Sequence, residues 1–439
     1  MMRKYCYRLA LIMWLVGLVA CTSGTAPASN PEPSSPMIDP IGPPSSAVEG
    51  VSDDEIVIGV SAAFSGPSQG LGVELYRGAM AYLEEVNANG GVNGRRISLR
   101  IYDDGYNPNP AINNTISLVE NDNVFLLFNY VGTPTVTRVL PLLKLYEDRS
   151  MVMLFPFSGA EPQRQPPFGE YVFNLRASYL EETAGLVQNF LNINRRRIAL
   201  LYQADAYGRS GWDGVRRALN GYGTDIVAEA TYRRNADFSE SFQPQVNILR
   251  AANPDAIIII GSYEAAAGFI RDARDSGLDV PMANVSFVGS ENLLAHLQQA
   301  GSENGRDYTV NLINSQVVPS YEDTTLTAVR EYRALIDKYN PQFPNETVQA
   351  SYTPLPYSFV SFEGFLNAKI LVELLSRLGE QPRRENIDNV LDAMNNLNLG
   401  INTTVSYAEN KHQGLDTVYY TVLQDGKFIP LTSWEEWKK

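Results

Sequence analysis

Several short segments combine hydroxyl, aromatic and acidic side chains, and each comes after an apolar run that predicts a buried strand. Their candidate site residues are Ser65, Gln69, Gly132, Thr133, Thr135, Phe157, Ser158, Gly159, Tyr207, Tyr263 and Glu291. Hydroxyl groups and the N–H groups of a helix start suit a carboxylate, and tyrosine rings suit an apolar or planar body. One acid suits an ammonium, because a buried cation without a partner is costly. The set therefore indicates a site for a small zwitterion.

The sequence offers little that resembles a catalytic apparatus. His296 and His412 are the two histidines, and neither lies in a metal-ligand spacing or beside a nucleophile motif. A hydrolase on an α/β scaffold is the enzyme alternative, and it lacks a nucleophile and base pair. The acidic pair Asp103 and Asp104 is consistent with a metal ion, although such a pair more often caps a turn. We predict a protein that is not an enzyme and that has no cofactor and no metal.

The elements that would position these residues begin with one strand, helix and strand unit. Ile56 to Val60 is a continuous apolar run, typical of a parallel strand buried on both faces. Apolar residues then recur at helical spacing from Leu75 to Val86, and Gly90 and Gly91 end the helix. Ile97 to Ile101 is the second strand. Such units build α/β sheets, in which ligands bind outside the carboxyl ends of the strands.

Two series of such units follow one another along the chain. The first continues with strands predicted at Asn123 to Asn129 and Met151 to Phe155. The second has strands predicted at Ile198 to Tyr202, Asp255 to Ile260 and Val285 to Gly289. The doubled pattern predicts an α/β fold with two Rossmann-like lobes.

The carboxyl-terminal part completes both lobes. Amphipathic patterns predict helices over Thr325 to Tyr339 and Tyr357 to Leu378, and Thr417 to Leu423 with Lys427 to Pro430 predict a hairpin. Phe168 to Arg176 reads as a crossing between lobes. We expect lobe 1 to comprise residues 53–176 with 317–400, and lobe 2 to comprise residues 177–316 with 401–439. Three crossings are expected near residues 174–179, 313–320 and 399–415.

The amino-terminal segment has the pattern of a targeting signal. Residues 1–20 have a basic start and an apolar run too short for a permanent membrane span. Cleavage before Cys21 and acylation of its sulfur are expected of a bacterial lipoprotein signal, and a plain secretory signal is the alternative. Residues 21–52 are rich in proline and serine, which predicts a tether. Cys6 leaves with the signal, so the mature chain has no cysteine pair for a disulfide.

The net charge of the chain disfavours two classes of binding partner. The 35 basic and 49 acidic residues give a net charge of −14, which disfavours nucleic acid and anionic membrane surfaces. We therefore expect contact with a membrane through the lipid anchor only.

Several motifs, in order, resemble the leucine/isoleucine/valine-binding proteins of ABC transporters, over Glu55 to about Pro430. FSGPSQGLGVELYRGAMAYLEEVNANGGVNGRRISLRIYDD at residues 64–104 is similar to that family's opening block. VGTPTV at residues 131–136 resembles the loop that holds the ligand carboxylate, and Tyr207 and Tyr263 match tyrosines of the second lobe. Glu291 matches the acid that pairs with the ligand ammonium.

The resemblance implies a type I periplasmic binding fold and a monomeric extracytoplasmic receptor that delivers a small ligand to permease subunits. The ligand implied is a branched-chain or other amino acid. One position departs from the pattern, because Gly159 stands where the family usually has a threonine. Binding of amides, urea or aromatic acids, and a sensor role with the same fold, are therefore alternatives.

Overall fold

The computed structural model describes residues 48–343, 352–409 and 411–437. The predicted signal peptide, the lipidation site Cys21 and most of the predicted tether lie outside the described residues.

The helices and strands alternate along most of the chain. The strands are β1 (Glu55–Ala62), β2 (Arg96–Asp103), β3 (Leu127–Phe128), β4 (Met153–Leu154), β5 (Val172–Phe173), β6 (Ile198–Gln203), β7 (Glu229–Tyr232), β8 (Ala256–Ile260), β9 (Met282–Asn284), β10 (Leu312–Gln316), β11 (Leu397–Asn398), β12 (Thr404–Val405), β13 (Tyr419–Gln424) and β14 (Lys427–Pro430). The helices are α1 (Gln69–Ala88), α2 (Pro108–Ile116), α3 (Thr133–Leu145), α4 (Tyr179–Asn192), α5 (Ala206–Gly221), α6 (Gln243–Ala251), α7 (Tyr263–Asp275), α8 (Ser290–Asn304), α9 (Thr327–Tyr339), α10 (Phe359–Leu378), α11 (Ile387–Asp392) and α12 (Trp434–Trp437).

Two sheets form the centres of two lobes. Within the described residues, the first sheet has the order β2-β1-β3-β4-β5, with every neighbouring pair parallel. The second has the order β14-β13-β10-β9-β8-β6-β7, and its β13 and β14 run antiparallel to their neighbours. A short antiparallel pair joins β11 and β12. The predicted α/β class and the terminal hairpin are confirmed.

Long apolar runs explain why the sheets are covered on both faces. All five residues of β8 are buried, as expected for a parallel strand with helices on each side. In lobe 1, α10 packs directly against α1. A Cβ on Gly78 would overlap the carbonyl of Ser361, and one on Gly364 would overlap the carbonyl of Leu75, so these two glycines allow the close crossing.

Some predicted strand bounds are wrong. Residues Ser286–Val288, predicted as part of a strand, form a 3-10 turn after β9. The backbone N–H of Ser286 donates to the carboxylate of Glu182 at 2.7 Å, which takes this segment away from the sheet. The predicted crossing at Phe168 to Arg176 contains β5, and the strands predicted around β3 and β4 are two residues long.

Within the described ranges, no helix combines the length and apolar character that crossing a membrane requires. The same residues contain no group of three or more histidine, cysteine or acidic side chains arranged to hold a metal ion.

Candidate functional site

Two predicted segments of lobe 1 meet through their hydroxyl groups. Thr133 begins α3 after β3, and Ser158 follows β4, the neighbouring strand. Their Oγ atoms lie 2.8 Å apart, and both side chains are buried. The Thr133 hydroxyl also lies 3.4 Å from the hydroxyl of Tyr179, at the start of α4 in lobe 2. The carboxyl ends of these strands thus present hydroxyl groups to the boundary between the lobes.

Thr135 has a different role from Thr133. Its hydroxyl donates to the carbonyls of Val131 and Gly132, each at 2.7 Å, within its own helix turn. Thr133, rather than Thr135, therefore directs its hydroxyl towards Ser158 and Tyr179.

The position of Tyr179 leaves no room for a side chain at Gly159. A Cβ at position 159 would lie 2.6 Å from the Tyr179 ring and 2.8 Å from its backbone nitrogen. The absence of a side chain lets the Tyr179 phenol occupy the space beside Thr133. Tyr179 was not among the predicted site residues. The capping box of Ser178 and Glu181, which fixes the start of α4, is a sequence signal that would have placed it at a helix terminus.

An aromatic cluster spans the two lobes. The ring of Phe287 in lobe 2 lies 5.8 Å from Tyr106 and 5.3 Å from Phe157, both in lobe 1, and 4.6 Å from Tyr207 (centroid distances). The Tyr207 ring lies 5.3 Å from that of Tyr179. All five side chains are buried. Phe157 and Tyr207, predicted from separate segments, are thus brought together by Phe287, which the sequence analysis assigned to a strand.

Tyr263 contacts a second predicted segment. Its hydroxyl accepts a hydrogen bond from the backbone N–H of Gly70 at 3.1 Å, which joins the start of α7 in lobe 2 to the start of α1 in lobe 1. Gln69 precedes Gly70, and its Oε1 is buried without a hydrogen-bond partner among the described residues. Ser65 is half-buried in the same loop. Within the part of the chain that the structure describes, no hydrogen bond connects any of these three side chains with Thr133 or Ser158.

Glu291 lies in the first turn of α8 and faces lobe 1. Its Oε1 accepts from the backbone N–H of Phe359 at 3.4 Å, while Oε2 is buried without a hydrogen-bond partner in the described ranges. Burial raises the pKa of Glu291 to about 7, although the nearby polar groups of its own backbone, Tyr321 and Phe359 oppose the shift. This acid therefore has one oxygen available to a cationic group.

An ionic cluster beside Phe157 was missed by the sequence analysis. Arg176 follows β5, is 1% exposed, and lies with its guanidinium 4.4 Å from the centre of the Phe157 ring. The Arg176 Nε lies 3.7 Å from Oε1 of Glu363 in α10, and its Nη2 lies 3.9 Å from Oε1 of Glu182 in α4. Nη2 also donates a hydrogen bond to the Ser286 hydroxyl. Charged residues inside apolar runs, such as Arg176 and Glu363, were the available signal.

The acidic pair Asp103 and Asp104 shapes a turn. Asp103 accepts from the backbone N–H groups of Phe64 and Gly105, and Asp104 accepts from that of Tyr106. These contacts match the turn-capping interpretation rather than the metal interpretation.

Comparison with known proteins identifies the fold. The family model described as periplasmic binding protein matches residues 55–427. The structure of a possible leucine/isoleucine/valine-binding protein from Rhodopirellula baltica superposes with a TM-score of 0.76 and 28% identity, covering 89% of this chain and 99% of that one. A branched chain amino acid ABC transporter from Thermus thermophilus with bound valine has a TM-score of 0.73 at 18% identity, covering 86% and 96%, and shares the fold.

Relatives detected by sequence agree with this result. An amino acid binding protein of Pseudomonas aeruginosa is 26% identical over 54% of this chain, but the match spans under two thirds, 62%, of that relative's length. A Leu/Ile/Val-binding protein homolog of Brucella abortus is 23% identical over 70% of this chain and 83% of its own. The chain therefore belongs to the periplasmic binding protein family, with the type I fold, whose members are extracytoplasmic solute-binding proteins and not enzymes.

Proposed function

We propose that this chain is the solute-binding lipoprotein of an ABC importer and that it captures a small amino-acid-like ligand by closing its two lobes. The observation that carries the proposal is the meeting of Thr133, Ser158 and Phe157 of lobe 1 with Phe287 and Tyr207 of lobe 2 in one buried cluster. The names of the relatives, which describe binding of amino acids, support the same class of ligand.

The proposed roles follow from the chemistry of each side. Thr133 and Ser158 offer hydroxyl groups to the ligand carboxylate, and Glu291 offers its second oxygen to the ligand amino group. Phe157 and Tyr207 provide an apolar wall for the ligand side chain. The remaining members of the proposed set shape the loops or line the neighbouring part of the cleft: Ser65, Gln69, Gly132, Thr135, Gly159 and Tyr263.

Closure is proposed to couple binding to recognition. Lobe 1 would hold the ligand first, and lobe 2 would then bring Tyr207, Tyr263 and Glu291 onto it. A ligand shifts such an equilibrium only by its difference in affinity for the open and closed forms, so contacts with both lobes are required. The closed form is what the permease subunits of an importer would recognise.

The proposed lipid anchor rests on the amino-terminal sequence alone. Wild-type protein expressed in a bacterial host should fractionate with membranes and carry an acylated amino-terminal cysteine by mass spectrometry. Cys21→Ser should abolish the acylation. An unmodified and soluble wild-type protein would contradict the lipoprotein assignment, and sedimentation of the soluble variant would test the proposed monomer.

The ligand is tested by thermal unfolding of the mature chain, refolded to remove carried-over solute, against the twenty amino acids and their deaminated analogues. A ligand at a hundredfold over its dissociation constant stabilises by about 2.7 kcal/mol, a shift of a few degrees. We expect one or more amino acids to raise the midpoint and their deaminated analogues to act weakly. Glu291→Gln should remove the difference between the two.

Binding of ligands without a free amino group is the second candidate. The observation that favours it is the replacement of a hydroxyl side chain by Gly159, with the Tyr179 phenol in its place. Amides, urea and aromatic acids therefore belong in the same panel. If only these compounds raise the unfolding midpoint, the amino-acid assignment is wrong and Glu291 has a structural role.

A further inference from the structure

Arg176 has more hydrogen-bonding capacity than its surroundings use. Nη2 donates to the Ser286 hydroxyl, whereas Nε and Nη1 are buried and have no hydrogen-bond partner in the described residues. Buried donors are almost always paired, because leaving one unpaired forfeits its hydration. Among the described residues, Nε has only the Glu363 carboxylate, 3.7 Å away and beyond hydrogen-bond distance, and Nη1 has no partner of either kind, so these donors indicate a partner from outside the chain.

Another buried arginine shows that the chain can satisfy this side chain fully. Arg77, 2% exposed, donates from Nε to the carbonyl of Pro341 and from Nη1 to Glu74, and Nη2 donates to Asn340. Arg195, Arg234 and Arg274 each have one buried nitrogen, Nε, without a hydrogen-bond partner among the described residues. Arg176 differs from all of these in having two buried nitrogens without a hydrogen bond.

The two acids beside Arg176 are held differently, and neither accepts a hydrogen bond from Nε or Nη1. Glu182 accepts three hydrogen bonds, two from Ser286 and one from the Ser315 hydroxyl, which hold its carboxylate in position. No hydrogen bond of the described residues reaches the Glu363 carboxylate. Burial raises the pKa of Glu363 to about 7, against the opposing charge of Arg176, so Glu363 is partly protonated at neutral pH.

The position of Arg176 places these donors at the proposed cleft. The guanidinium lies over the ring of Phe157, which neighbours Ser158 in the chain and contacts Phe287. Ser286 and Glu182 belong to lobe 2, and Phe157 and Glu363 belong to lobe 1. A ligand that contacts the Phe157 ring between the lobes would therefore meet the donors of Arg176 on one side and the hydroxyl of Ser158, the next residue in the chain, on the other.

We infer that Arg176 binds the carboxylate of the ligand through its free N–H donors, with Thr133 and Ser158 completing the contact. The inference rests on the proposed function, in which the ligand is an amino-acid-like solute. It makes Arg176 a specificity residue that selects acids over their neutral carboxamides, since an amide offers no negative charge to a buried guanidinium.

The test compares an amino acid with its own carboxamide. The probe is the amino acid that gives the largest rise in the unfolding midpoint of the mature chain, and calorimetry then measures both compounds. Wild-type protein should prefer the acid by roughly 10- to 100-fold, the range for a hydrogen bond to a charged group. Arg176→Gln should remove that preference by weakening the acid alone, and Arg176→Lys, which keeps the charge, should retain part of it.

Arg77→Gln is the matched control, because it also truncates a buried arginine but lies at α1 with every nitrogen paired. It should lower stability and keep the preference for the acid. An unchanged preference in Arg176→Gln would overturn the inference and leave the proposed function intact. If Arg176→Gln fails to fold, equal binding of acid and carboxamide by wild-type protein would overturn it without any variant.

Simple carboxylates separate the inference from the proposed function. Suppose that no amino acid binds, but that benzoate or another carboxylate binds and loses affinity in Arg176→Gln. The amino-acid assignment is then wrong, and the inference that Arg176 binds a ligand carboxylate is supported. If neither class binds, both are overturned.

Discussion

A Cβ on Gly159 would lie 2.6 Å from the ring of Tyr179, so the two residues are sterically coupled across the boundary between the lobes. Gly159→Ala should lower the free energy of unfolding by about 1–3 kcal/mol, as expected for overpacking at a buried site. Denaturant unfolding measures this change. Gly221→Ala is the control, because nothing lies within 4 Å of its Cβ position, and an equal loss in both variants would contradict the coupling.

Two threonines of the first turn of α3 should respond differently to loss of their hydroxyls. Thr133→Val removes the partner of Ser158 and should weaken ligand binding roughly tenfold, about one hydrogen bond. Thr135→Val breaks bonds to the carbonyls of Val131 and Gly132 and should lower stability by about 1 kcal/mol. Calorimetry and denaturant unfolding of both variants check the separation. Equal effects on ligand affinity would refute it.

Tyr263 is expected to stabilise the closed form through its hydroxyl. Tyr263→Phe removes the acceptor of the Gly70 N–H and keeps the ring that stacks on His296. Ligand affinity should fall several-fold, with a faster ligand off-rate, because the lost bond joins the lobes. Stopped-flow measurement of tyrosine fluorescence follows the off-rate. Tyr222→Phe, at an exposed position, should change neither quantity.

Asp104 should make stability depend on pH. Burial raises its pKa to about 7, helped by the charge of Asp103 and opposed by bonds from Ser61 and Tyr106. The folded state then keeps a proton that the unfolded state loses above its ordinary pKa near 4. The free energy of unfolding contributed by this group therefore falls as pH rises from about 4 to about 7 and is constant above that.

Asp104→Asn tests this dependence, because the amide cannot ionise and its oxygen can still accept from the Tyr106 N–H. The stability of the variant relative to wild type should increase as the pH rises from 5 to 8. Denaturant unfolding of both proteins at pH 5 and at pH 8 measures this increase. A pH dependence identical in the two proteins would show that Asp104 keeps its charge when folded.

Local sequence patterns were sufficient for the class of fold and for several elements. The apolar run at β8, the periodicity of α10 and the turn between β13 and β14 each depend on neighbouring residues, and each was predicted. The same logic located Thr133, Phe157 and Tyr207, because residues that follow parallel strands emerge at one edge of a sheet. Their functional assignment remains a prediction.

The tertiary structure decided which distant side chains share a space. Arg176 and Glu363 are far apart in the sequence, yet Nε of the arginine lies 3.7 Å from Oε1 of the glutamate. Neither residue occurs in a recognisable motif. The apolar run around Phe287 predicts a strand, but the segment forms a 3-10 turn in which the Ser286 N–H donates to Glu182 and the Phe287 ring lies against Phe157 and Tyr207. Periodicity reports how a residue is placed in its own element, whereas packing between elements determines what that residue contacts. For this reason local patterns were enough to predict a two-lobed α/β fold and the loops that follow its strands, whereas packing between distant elements brought together the hydroxyl pair, the aromatic cluster and the buried arginine.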